Sequence, residues 1–72
     1  MTIEELIKKI KFGVTYQKKY GDPGSCVWCY WNGYVEALIE IIKTHYLYDD
    51  VEIHHEGDEI KVVLYKNITK EY

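Results

Sequence analysis

Apolar residues recur along this chain at two different spacings. Ile3, Leu6, Ile7 and Ile10 fall at helical intervals, with Glu4, Lys8 and Lys11 on the opposite side. Thr2 and Glu5 have the spacing of a capping box, in which hydroxyl and carboxylate each accept a backbone N–H at a helix start. A Glu4 to Lys8 pair one turn apart adds support. Together these predict an amphipathic helix over about residues 2–12. Gly13 interrupts it, and Val14, Tyr16, Lys18 and Tyr20 then alternate with Thr15, Gln17 and Lys19 at a period of two.

Gly21-Asp22-Pro23-Gly24-Ser25 is the strongest turn signal, since proline presets φ and each glycine permits positive φ. Residues 26–31 are rich in aromatic and β-branched side chains. Residues 14–31 therefore read as a β-hairpin, with a helical hairpin as the alternative because Asp22-Pro23 also suits the start of a long helix. The strands are preferred on geometry. A helix starting at Cys26 would place Cys26 and Cys29 on the side of Glu36, Glu40 and Lys43, exposing both thiols.

Tyr34, Val35, Leu38, Ile41, Ile42 and His45 share one face of a second helix over about residues 33–47, with Asn32 as its N-cap. Val51, Ile53 and His55 alternate with Glu52, His54 and Glu56, and, after a Glu56-Gly57-Asp58-Glu59 turn, Ile60, Val62 and Leu64 alternate with Lys61, Val63 and Tyr65. They predict a C-terminal hairpin over about residues 51–65. Residues 67–72 are expected to fray. The predicted fold is α+β: two amphipathic helices covering one face of a small antiparallel sheet, in the order helix, hairpin, helix, hairpin. The other sheet face is left open and aromatic.

Length and composition narrow the function. A chain of 72 residues predicts a single small domain spanning 1–72. Such a chain buries only about 60% of its unfolded surface, so a homo-oligomer is expected. Eight tyrosines and two tryptophans against one phenylalanine give many rings with a polar tip, the kind enriched at interfaces.

The formal net charge of −3, with lysines and carboxylates mixed, argues against duplex nucleic acid. The acidic clusters Asp49, Asp50, Glu52 and Glu56, Asp58, Glu59 read as solvated turns. No apolar run approaches the ~20 residues a membrane span needs. No export signal is visible either, and two cysteines then point to a reducing, cytoplasmic setting.

Cys26-Val27-Trp28-Cys29 is a CxxC, the spacing that brings two thiolates onto zinc or into a redox disulfide. Zinc wants four ligands, and only His45 and one of His54 and His55 are available to complete a set. A thioredoxin-like site would carry tryptophan before the first cysteine and a βαβ framework, whereas Ser25 precedes Cys26 here. The expected state is two free cysteines packed as small apolar residues. No nucleophile elbow, paired carboxylates or glycine-rich phosphate loop accompanies the histidines, so neither enzyme activity nor a cofactor is expected.

The aromatic centre is the strongest functional signal. Trp31 and Tyr34 lie on the apolar face of the second helix and are expected in the core, whereas Tyr16, Tyr20, Trp28 and Tyr30 are the candidate binding residues. The expectation is a small non-enzymatic binding or regulatory protein that occupies a surface of a protein partner. In general style, the short acidic chain, capped first helix and tyrosine-rich centre resemble accessory proteins of phages and mobile elements. No motif of a known family accompanies that likeness; on the aromatic excess of so small a scaffold, an inhibitor of a host or defence protein is one form such a binding protein would take. The alternatives are capture of a nucleotide between rings at an oligomer interface, and a CxxC zinc or thiol-redox module.

Overall fold

A computed structural model describes residues 2–66 and 70–72 of the chain. The first helix, α1 (Ile3–Tyr20), starts where the capping pattern places it: Thr2 Oγ1 accepts the Glu5 N–H at 3.2 Å. It does not stop at Gly13. A Cβ added there would lie 2.9 Å from both Tyr34 and Val35 of the second helix. The glycine thus permits close approach of two helices rather than ending one. Lys18 and Lys19 in the last turn suit the helix C-terminus, where cations are favoured.

The Gly21–Ser25 segment reverses the chain as expected, with Gly24 at φ 84. Ser25 then caps α2 (Cys26–His45), its Oγ accepting the Trp28 N–H at 3.1 Å. Asn32, expected as the N-cap, lies inside this helix.

Residues 14–31 therefore form no β-hairpin; the helical alternative is the one found, and the element order is helix, helix, hairpin. Two forces override the period-two pattern. Ser25 is a strong N-cap placed just ahead of Cys26. On α1 the rings of Phe12, Tyr16 and Tyr20, spaced i, i+4, i+8, meet one another at 4.4 and 5.2 Å, a contact available only in a helix.

The C-terminal hairpin is as predicted. Strand β1 (Asp50–Glu56) pairs antiparallel with β2 (Glu59–Tyr65) in the register Val51 to Leu64 and Ile53 to Val62, around a turn with Gly57 at φ 62. A short β3 (Lys70–Glu71) adds to β2, and Tyr72 exchanges two backbone hydrogen bonds with Val62 at 2.8 and 2.9 Å. The expected fraying is therefore corrected for residues 70–72; residues 67–69 lie outside the described residues. The sheet has the order β1-β2-β3.

The two helices pack on one face of this sheet, an α+β arrangement. Leu6, Ile7, Ile10 and Val14 of α1, Val35, Leu38 and Ile42 of α2, and Val51, Val62 and Leu64 of the sheet form one buried cluster. Every buried hydrophobic among the described residues is aliphatic; no ring is among them.

Candidate functional site

Six of the eleven rings gather on the helical layer instead. At about 100° per residue, Phe12, Tyr16 and Tyr20 fall within about 80° of one another on α1, and Val27, Tyr30, Tyr34 and Ile41 within about 60° on α2. Trp31 joins the two sets, with ring centroids 5.9 Å from Phe12, 5.3 Å from Tyr16, 5.1 Å from Tyr30 and 5.4 Å from Tyr34. The result is a continuous aromatic seam along the helical hairpin, with edge and tilted contacts of the kind that aromatic quadrupoles favour.

This seam faces away from the sheet. On α1, Thr15, Lys18 and Lys19 share a surface cavity with Asp58 and Ile60 of the hairpin, and Tyr16 lies about 160° round the helix from Lys18. Phe12 is 49% exposed, Tyr20 59% and Tyr30 66%. Val27, Ile41 and Leu47 are the other large hydrophobics exposed among the described residues, Ile41 beside Leu6, His45 and Tyr46. Lysines frame it: Lys8 and Lys9 line a shallow cavity with Phe12 and Tyr34, and Lys19 Nζ sits 5.3 Å from the Tyr20 ring centre. The open aromatic surface expected on the sheet is thus carried by the helices, because both predicted strands of residues 14–31 are helical.

Of the four candidate residues, Tyr16, Tyr20 and Tyr30 come together on this face. Trp28 does not. It lies half-buried in an open cleft of about 420 Å³ with Val14, Gln17, Lys18, Gly21, Pro23 and His55, where its carbonyl accepts Gln17 Nε2 at 3.3 Å. Phe12, Trp31 and Tyr34 belong to the seam and were not among the candidates. Trp31 and Tyr34 are half-buried rather than core. The i, i+4 spacing of Phe12, Tyr16 and Tyr20 is the signal that would have found the first.

On the outward face of the sheet, polar side chains surround Val63, which is buried yet outside the helical core cluster. Tyr65 Oη donates to Glu52 Oε1 at 2.7 Å, His54 Nε2 lies 3.3 Å from the same oxygen, and Lys61 pairs with Glu56 at 3.1 Å. The Tyr65 hydrogen bond, then that of His54, holds the Glu52 carboxyl below its ordinary range, and the same bond to Glu52 raises the Tyr65 phenol. The Glu56 carboxylate raises Lys61.

Cys26 and Cys29 lie in the first turn of α2, and both are exposed, so the expectation that they pack as apolar residues is corrected. His45 ends the same helix, about 28 Å along the axis from Cys26, so a zinc set joining them does not converge. No described group of three or more His, Cys, Asp or Glu side chains is placed to hold a metal. No described helix is long and apolar enough to cross a membrane. Comparison of the chain with protein-family models, with curated proteins and with solved structures yields no match in any of the three.

Proposed function

We propose that this is a non-enzymatic binding protein whose aromatic face docks against protein, a second copy of the chain covering that face when no other partner is present. The observation that carries this reading is the gathering of rings on one side of the helical hairpin. The fully buried cluster uses only branched aliphatics, while Phe12, Tyr16, Tyr20, Tyr30, Trp31 and Tyr34, six of the eleven rings, lie in contact along that side; Tyr46, Tyr48 and Tyr72 pack partly buried against the cluster instead. Rings with a polar tip tolerate water on one side and a partner on the other, which is why they are enriched at interfaces.

Extent and charge support a second copy as occupant. A standard interface removes about 800 Å² per partner. That is a modest share of the chain's 4976 Å² and within one broad face of a body 36 × 25 × 19 Å in extent. On α1, Glu5, Phe12 and Lys19 are spaced by seven and fall within about 40° of one line. Two antiparallel α1 helices crossing at Phe12 bring Glu5 of each against Lys19 of the other, so the stripe is complementary to itself.

Nucleotide capture is the weaker reading, because the rings already spend their faces and edges on one another at 4.4 to 5.9 Å.

Native mass spectrometry of the untagged chain over a concentration series tests the proposal. A dimer is expected, with Tyr30→Ala weakening it at least tenfold while circular dichroism stays unchanged. A chain that stays monomeric throughout, or a dimer indifferent to both Tyr30→Ala and Phe12→Ala, would overturn it. A titration of tryptophan fluorescence with a nucleotide panel should give no saturable change.

A further inference from the structure

An exposed cysteine pair at a helix start is the one chemical feature that the aromatic face does not absorb. Cysteine ordinarily serves a helix by burying its sulfur as a small apolar group, or else by reacting. Exposure of both Cys26 and Cys29 removes the first role. Helical geometry sets Cα atoms three residues apart at about 5 Å, inside the roughly 4.4–6.8 Å that a disulfide spans. The Cβ atoms, about 5–6 Å apart in a regular helix, need to close to about 3.8 Å.

The first turn is where a helix yields most readily, since its leading N–H groups have no intrahelical acceptor. Here Ser25 holds that turn from outside: its Oγ accepts the Trp28 N–H at 3.1 Å, and its carbonyl accepts the Cys29 N–H at 2.9 Å. Both acceptors belong to Ser25, just outside the span from Cys26 to Cys29 that must close. The remaining use for such a pair, metal binding, finds no third ligand among the described residues, with His45 at the far end of the helix.

We propose that Cys26 and Cys29 form a reversible dithiol–disulfide site whose co-reactant is a low-molecular-weight disulfide of the glutathione type. One cysteine thiolate attacks a sulfur of the co-reactant, forming a mixed disulfide and releasing one small thiolate. The second cysteine thiolate then attacks the protein sulfur of that mixed disulfide, closing Cys26–Cys29 and releasing the other small thiolate. The two protons leave with the two released thiols. The protein pair is oxidised by two electrons and the co-reactant disulfide is reduced to two thiols. Tyr30, the most exposed ring of the aromatic face, lies one turn after Cys26 and next to Cys29. Closure therefore alters the backbone directly beneath it.

The test equilibrates the reduced full-length chain across a range of reduced to oxidised glutathione ratios, quenches with acid, alkylates, and reads intact mass. The expected result is a single transition from doubly alkylated chain to an unalkylated chain lighter by two hydrogens, with helical circular dichroism retained. Cys26→Ser and Cys29→Ser should each stop at one glutathione adduct. Accumulation of wild-type chain carrying two adducts, chiefly intermolecular disulfides, or closure only in denaturant would overturn the proposal. Tyr30→Ala leaves the transition in place, so failure here and failure of the aromatic-face reading are told apart.

Discussion

The two sides of the helical layer are both apolar, yet they are built from different chemistry. Toward the sheet lie Leu6, Ile10, Val35 and Ile42, between 0% and 5% exposed. Away from it lie Phe12, Tyr20 and Tyr30, half exposed or more. Branched aliphatics fill a small core with few rotamers and no polar atom to satisfy. Rings with hydroxyl or indole tips suit a surface that is wet at one time and covered at another. In so short a chain, then, no ring among the described residues is fully buried: Tyr46, Tyr48 and Tyr72 border the aliphatic core, and the rings from Phe12 to Tyr34 on the helices form a surface of their own.

Substitutions should divide the two sides by what they disturb. Ile42→Ala empties a fully buried position at the centre of the aliphatic side. It should cost about 2–5 kcal/mol of stability, measured by urea unfolding. Gly13→Ala tests the close approach of the helices. Alanine favours a helix by about 1 kcal/mol, but its Cβ would press Tyr34 and Val35 at 2.9 Å. A net loss of up to about 2 kcal/mol is expected from overpacking; a gain would mean that the helices are not in contact there.

Ser25→Ala removes the cap of α2 and should cost about 1 kcal/mol with a loss of helical signal, whereas a strand at residues 26–31 would be indifferent. Tyr65→Phe is the mildest change, confined to the outer sheet face. Glu52 is held low by Tyr65 first and His54 second. Its contribution is therefore present above the ordinary glutamate range and lost as pH falls through the lowered value. The raised Tyr65 phenol contributes below the ordinary tyrosine value and is lost as pH rises through the raised one. The variant should flatten both limbs of the stability–pH curve, read as melting temperature against pH.

The start of α1 and the register of the C-terminal hairpin were legible in the chain because local chemistry specifies them: Thr2 as a cap, alternation from Val51 to Leu64 broken only at Val63, and a glycine turn. Residues 14–31 were not, because the deciding contacts are not local. Gly13 reads as a break until Tyr34 and Val35 are known to lie against it. The alternation of Val14, Tyr16, Lys18 and Tyr20 hides an i, i+4 ladder that begins one residue before the glycine, at Phe12. The candidate residues fared accordingly. Tyr16, Tyr20 and Tyr30 share the face, and Trp28 turns into the cleft beside His55, since a helix rather than a strand carries it. The exposure of Cys26 and Cys29 is what the helical alternative for residues 26–31 implies, and the structure shows both thiols exposed on a helix.

The central claim is that copies of the chain meet through the aromatic side of the helices. A dilution series followed by two-dimensional amide NMR tests it most directly. Concentration-dependent shifts are expected at Phe12, Tyr16, Tyr20, Tyr30 and Trp31, with Glu52, His54 and Tyr65 on the outer sheet face unmoved. Shifts confined to the sheet face, or none across the concentration range, would contradict it.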